Sequence, residues 1–268
     1  MSTVRTPAVA GMFYPGDAAM LAEDVQHYLD AARRFDFIPK ALIVPHAGYV
    51  YSGPVAATAY RTLLRLAARI HRVILLGPTH RVAVRGLALP GVDAFDTPLG
   101  RVMLDAGAAD AVSGLPQVGI SAEAHALEHS LEVQLPFLQR VLQDFTLLPL
   151  AVGMASAEEV AEVLEAVWGG DETLIVISSD LSHYLPYTIA QRVDRDTAQS
   201  ILDLKQPIPH DQACGGTPVS GLILAAQHHH LNPHLLDLRN SGDTAGSHDS
   251  VVGYGAFAFT EEQAHVQH

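Results

Sequence analysis

Several residue classes are nearly missing from this chain of 268 residues. It has one cysteine, Cys214, so an internal disulfide framework is excluded. Basic residues are scarce as well: 16 Lys and Arg stand against 29 Asp and Glu, leaving a net charge of -13. With a pI near 5.5, the chain lacks the basic face that nucleic acid or an anionic membrane surface requires, and neither is expected as a partner. No uninterrupted run of about 18 apolar residues occurs, so no membrane span is expected. The start MSTVRTPAVAG has no basic stretch followed by an apolar signal core. The expected compartment is therefore the cytoplasm. No G-x-G-x-x-G follows an apolar run and no Walker pattern occurs, which disfavours nucleotide binding.

Histidine is plentiful: the chain has 15. Its length suits one large α/β domain, which would bury about 75% of its unfolded surface. Short apolar runs at residues 41–44, 71–76, 145–152 and 173–178 read as buried strands. Between them, amphipathic stretches predict helices at 18–34 with Asp17 as cap, 55–69, 129–143 with a kink at Pro136, 157–167, 186–204 and 219–229. Two short extended pieces lie within 86–104, a short helix is capped by Asp105, and strands at 235–239 and 251–259 close the chain. Residues 4–16 read as an extended arm packed on the body, and the tail EEQAHVQH as frayed. The alternation predicts an α/β fold: a single domain over residues 1–268, ordered from about 4 to 260, with a mostly parallel central sheet flanked by helices.

One device occurs three times. The runs ending at Val44, Leu76 and Ser178 each pass through a helix breaker or polar turn to a histidine, giving His46 in PHAGYVYSG, His80 in GPTH and His183 in SSDLSHY. Right-handed crossovers between parallel strands bring such ends to one sheet edge, where sites form in open α/β folds. Imidazole is the commonest metal ligand and titrates near neutrality, so a shared site is expected there. Cys214 precedes Gly215 and Gly216 at the start of a predicted helix, whose dipole would lower the thiol pKa; it reads as a metal ligand or a nucleophile. Asp180 either orients His183, binds substrate or closes an Asx turn. Tyr49 and Tyr51 either donate hydrogen bonds into the site or pack. His125 to His129 match H-x-x-E-H, an inverted zinc-hydrolase spacing; the competing reading places His125 in a turn and His129 and Glu132 facing inward. The run His228, His229, His230 sits where a helix ends and suits that helix's C-terminal dipole.

In order, the arm VRTPAVAGMFYPG, PHAGYVYSG, GPTH, EHSLEVQLPFL, SSDLSHY and the Cys214-Gly215 turn resemble the Memo-like family, also called AmmeMemoRadiSam system protein B, from Val4 to about Phe259. The resemblance implies a fold similar to the class III extradiol (LigB-type) dioxygenases, which hold non-haem iron through two histidines and a glutamate. By motif it assigns His46, His80 and Cys214 as metal ligands, the cysteine standing where those enzymes have glutamate. It places His183 on the acid/base histidine; beside it, Asp180, Tyr49 and His129 are expected to position groups around the metal. Thiolate softens the donor set, so iron or copper is expected ahead of zinc. The implied activity is metal-dependent redox chemistry on a small molecule or peptide in the cleft. The alternative is a metal-carrying or protein-binding module working with AMMECR1-domain and radical SAM proteins.

Overall fold

In the computed structural model, which describes residues 3–261, strands and helices alternate through much of the chain, interrupted by runs of successive strands, as within 87–103 and 232–260, and of successive helices, as within 187–228. β1 (Val4–Arg5) precedes α1 (Ala18–Ala31), where the Asp17 side chain accepts from the Ala19 and Met20 N–H groups as the sequence predicts. β2 (Pro39–Val44), α2 (Tyr49–Tyr60) with a 3-10 turn at Arg61–Leu66, and β3 (Arg72–Pro78) follow. An excursion comprises β4 (Leu87–Leu89), β5 (Ala94–Thr97), β6 (Gly100–Met103), α3 (Ala106–Ser113), β7 (Val118–Ile120) and α4 (Ala122–Ala126). The chain continues with α5 (Leu135–Val141), β8 (Thr146–Val152), α6 (Ala157–Ala166) and β9 (Thr173–Ser178). It closes with β10 (His183–Leu185), α7 (Tyr187–Leu202), α8 (Gly216–His228), β11 (Asn232–Asn240) and β12 (Val251–Thr260).

The large sheet has nine strands in the order β10-β12-β2-β9-β3-β8-β4-β7, with β11 also paired to β12. Its centre, β2-β9-β3-β8, is parallel, while β12 joins β2 and β4 joins β8 antiparallel. The sheet is therefore mixed: only its middle is the parallel sheet that the four apolar runs predict. Sequence periodicity marks a strand but not its direction, and the flanking strands enter through connections with no local signature. A small second sheet, β1-β5-β6, pairs β5 and β6 as an antiparallel hairpin within residues 86–104, where two short extended pieces are expected, and ties the N-terminal arm to it.

Period-two alternation divides each central strand between two cores. Leu42, Val44, Val73, Leu75, Leu174 and Val176 pack with α1, α2 and α5, whereas Ala41, Ile43, Ile74, Leu76, Ile175 and Ile177 pack with α6, α7 and α8. Burial on both faces explains why these strands read as continuous apolar runs. Among the described residues, no helix is long and apolar enough to cross a membrane.

Three local expectations are corrected. The helix after β2 starts at Tyr49, earlier than residue 55, and includes Gly53, where a Cβ would meet the Tyr28 ring at 2.9 Å. The helix expected over 129–143 is a 3-10 turn, Glu132–Gln134, followed by α5, and Pro136 sits in the first turn of α5, where its missing N–H costs nothing. α4 ends at Ala126, so His125 and His129 do not share a helix face. The expectation of a frayed tail concerns residues that, beyond Glu261, lie outside the described ones.

Candidate metal centre

Strands β2, β9 and β3 are parallel neighbours, and His46, Asp180 to His183, and His80 follow their respective carboxyl ends. The sheet order therefore gathers what the sequence scatters. The His46 ring centroid lies 5.2 Å from that of His80 and 5.4 Å from that of His129, edge-on to both, while His80 and His129 are stacked at 4.6 Å. One nitrogen from each of these three residues lies within 4.8 Å of the others, an arrangement able to hold a metal ion.

Hydrogen bonds fix the tautomers of His46, His80 and His183. Ser178 Oγ donates its single proton to the Ser130 carbonyl at 2.5 Å and accepts from Gln134 Nε2 at 2.8 Å. Toward His46 Nδ1, 2.9 Å away, it is therefore an acceptor, so His46 carries its proton on Nδ1 and presents a lone pair at Nε2. The Glu128 carboxylate does the same for His80, accepting from Nδ1 at 2.9 Å. The Leu181 carbonyl accepts from His183 Nδ1 at 2.8 Å. All three histidines of the repeated device thus keep Nε2 free.

Burial gives these groups unusual basicities. His46, 2% exposed, is held well below the usual histidine range by burial and then by the His129 and His80 rings. Burial likewise lowers His129 to about 4. Both are neutral at neutral pH, the form that binds a metal. Burial opposes ionisation of Glu128, but hydrogen bonds from His80 and from the N–H of Ser130 outweigh it and hold the carboxyl at about 2.

Cys214 stands against one member of the histidine group, His46, and is itself outside the set whose ligand atoms all lie within 4.8 Å of one another. Its N–H donates to the Asp180 carbonyl, and the next N–H, from Gly215, donates to Ser179 Oγ at 2.9 Å. A Cβ on Gly215 would meet that of Ser179 at 2.7 Å, so glycine lets the loop lie against the end of β9. Cys214 Sγ then stands 3.3 Å from His46 Nε2. Two ligands of one tetrahedral ion, at about 2.3 Å for sulfur and 2.0 Å for nitrogen, lie about 3.5 Å apart, so the pair fits a shared ion. The helix dipole does not set the thiol's acidity, contrary to expectation: burial and the Asp180 charge push it up to about 12, leaving a protonated thiol that donates to His46 Nε2 in the absence of a cation.

Asp180, buried, accepts from the His46 N–H at 2.7 Å and so fixes the turn bearing His46. Burial raises its carboxyl to about 6 against the pull of that bond. Tyr49 is not brought to the cluster: its hydroxyl donates to the Val133 carbonyl at 2.7 Å and its ring packs on Tyr14 and Phe137. His125 is also elsewhere, hydrogen-bonded to the Ala88 carbonyl at 2.7 Å. Sequence reasoning missed the roles of Glu128 and Ser178. A signal existed for Ser178, a polar residue ending an apolar strand in register with Val44, two residues before His46.

A family model for Memo-like protein matches residues 5–258. A MEMO1 family protein of Metallosphaera sedula is 36% identical over 282 residues, spanning 96% of this chain and 99% of that protein. One from Aquifex aeolicus is 35% identical over 272 residues with the same coverage, and one from Methanosarcina barkeri is 34% identical across 94% of this chain and 98% of its own. Both the matched span and the near-complete mutual coverage show that the chain belongs to the Memo-like protein family.

Proposed function

We propose that the protein is a metal-dependent redox enzyme for a small substrate, holding one iron or copper ion through His46 Nε2, His80 Nε2 and Cys214 Sγ. The observation that carries this is the 3.3 Å approach of Cys214 Sγ to an imidazole nitrogen whose lone pair is left free by Ser178. A thiol raised to about 12 ionises at neutral pH only beside a cation, and a bound ion would supply that charge. Two imidazoles and one thiolate make a soft donor set, favouring copper or iron over hard ions. His129 stacks on His80. His129 offers a nitrogen within the same 4.8 Å group, so in this reading it flanks the ion and is the alternative third ligand.

The bound ion would supply Lewis acidity and a change of oxidation state. The chain's own groups do the rest. His183, its Nδ1–H tied to Leu181, offers Nε2 to take up or release a proton from a substrate. Asp180 holds the His46 backbone through its carboxyl oxygen, against a burial that raises that carboxyl to about 6. Tyr49 anchors the start of α2 through Val133.

Anaerobic titration with Fe(II) or Cu(I) tests the ligand set. One equivalent should bind the wild-type chain and be lost from His46→Ala, His80→Ala and Cys214→Ser but kept by His129→Ala. Release by His129→Ala together with retention by Cys214→Ser would make His129 the third ligand. Chains that bind no ion in any form would remove the proposal. Oxygen uptake by the loaded protein should require His183, with His183→Gln retaining the ion and losing turnover.

A further inference from the structure

At the opposite edge of the sheet lies a second group of side chains of metal-ligating type. We propose that Glu165, His228 and His229 form a surface site for a divalent first-row transition-metal ion, separate from the centre at the carboxyl edge. One ligand atom from each lies within 4.8 Å of the other two. His228 Nδ1 stands 3.0 Å from Glu165 Oε1, and His229 Nε2 stands 2.8 Å from Oε2. Ligands about 2.1 Å from one ion and at right angles to each other lie about 3.0 Å apart, so the three groups need move little to close on an ion. Two imidazoles and a carboxylate suit Zn²⁺, Ni²⁺, Co²⁺ or Cu²⁺ rather than Mg²⁺ or Ca²⁺.

The fold pre-forms this arrangement. α6 and α8 pack side by side and in the same direction: Gly221 of α8 lies against Val160 of α6, where a Cβ would come within 2.3 Å of a valine methyl. Their C-terminal ends therefore meet, Glu165 in the last turn of α6 and His228 and His229 at the end of α8. Both helix dipoles present negative ends there and Glu165 adds a negative side chain; the Lys40 ammonium offsets part of this charge at the Trp168, Gly169 and Gly170 carbonyls, while none of its bonds reaches Glu165. The His229 ring is further fixed by flat stacking on Trp168, 3.8 Å between centroids and 5° between planes. Reduced side-chain freedom lowers the entropic cost of ligation.

Trp168 is the only tryptophan of the chain and thus a built-in reporter. It also lies against Lys40, near the start of β2, about 20 Å along that strand from His46, so an ion at the carboxyl edge is remote from it. Fluorescence should be measured while Ni²⁺, a paramagnetic quencher, is titrated into the full chain, and Zn²⁺ added afterwards as a silent competitor. The expected result is saturable quenching at one equivalent, reversed by Zn²⁺, equal in wild type and in Cys214→Ser. Glu165→Gln and His228→Ala remove neither ring of the Trp168–His229 stack. Loss of even an outer partner of a metal ligand lowers affinity about 10–100-fold, so each of these variants should weaken the quenching by at least about tenfold. No quenching in wild type, or equal quenching in wild type and both variants, overturns the proposal. Because Cys214→Ser separates the two sites, failure here leaves the reading of the His46 centre standing, and the reverse holds equally.

Discussion

Glu128 grips His80 at two points: Oε2 accepts from its backbone N–H at 2.6 Å and Oε1 from its ring Nδ1–H at 2.9 Å. Position and tautomer of one histidine are thus set by one buried carboxylate, which also accepts from the N–H groups of His129 and Ser130. Every neighbour of this carboxylate is a donor. Glu128→Gln keeps the volume but turns an acceptor into an NH₂ facing N–H groups. Metal affinity is expected to fall about 10–100-fold and stability by about 1–3 kcal/mol. Chelator competition and urea denaturation measure the two; unchanged affinity would mean that orientation of His80 does not control the site.

Ser178 makes a more selective test because its hydroxyl touches no ion under any ligand assignment. Ser178→Ala removes the acceptor that keeps the proton of His46 on Nδ1 and leaves Gln134 Nε2 with only the Pro45 carbonyl. The His46 proton is then free to move to Nε2, which would face Cys214 with a donor instead of a lone pair. Nitrogen NMR of the metal-free protein should show the Nδ1–H form in wild type and a mixture in the variant, with weaker metal binding. A single unchanged tautomer would break the link drawn between Ser178 and ligation.

The strands, the repeated strand-to-histidine device and the meeting of His46 with His80 were legible because burial on both faces writes a continuous apolar run and because parallel strands end at one edge. Cys214 was legible as a candidate, but its protonation was not: a thiol at a helix start suggests a low pKa, while the neighbours that reverse it, Asp180 and the surrounding core, come from distant parts of the chain. By sequence, His125 to His129 leave two readings open, an H-x-x-E-H helix and a turn at His125 with His129 and Glu132 facing inward. The helix stops at Ala126, so only Glu128 and His129 turn to the site while His125 turns away. Tyr49 followed His46 so closely in sequence that it read as a site residue; helix α2 begins at it and carries its ring into the core.

His125 supplies a pH signature. It is 2% exposed, its Nε2–H donates to Ala88, and its Nδ1 has no partner among the described residues. Burial lowers it to about 4 from the ordinary 6.5. The unfolded chain therefore binds the proton more tightly, and stability rises with pH across that window: its share is full above about 6.5 and lost as pH falls toward 4, at most about 3 kcal/mol. The neutral forms of His46 and His129 act in the same direction, so the comparison must be between chains. In urea titrations from pH 4 to 7, His125→Phe should be less stable than wild type at pH 7 because Ala88 loses its donor, with the gap closing on acidification. A gap that stays constant would show that His125 does not titrate in this way.

Glu132 connects the N-terminal arm to the centre. It is fully buried, and its carboxylate accepts from Arg5 Nη1 at 2.8 Å, from the N–H groups of Ala8 and Val9 at 2.8 and 3.0 Å, and from the Tyr14 hydroxyl at 2.6 Å. Arg5 spends its other donors on the carbonyls of His125 and Glu128, so arm and site loop share one network. The same arm places Phe13 against His129, 4.7 Å between rings. Glu132→Ala leaves a buried guanidinium without its counter-charge, and a loss of about 3–5 kcal/mol is expected. Arg5→Met combined with Glu132→Ala should cost less than the two single changes together, since neither charge is then left unpaired. Metal affinity of Glu132→Ala under native conditions should fall with the loosening of Phe13 and His129. If the double change instead equals the sum of the singles, Arg5 and Glu132 act independently and the arm is held by its backbone alone.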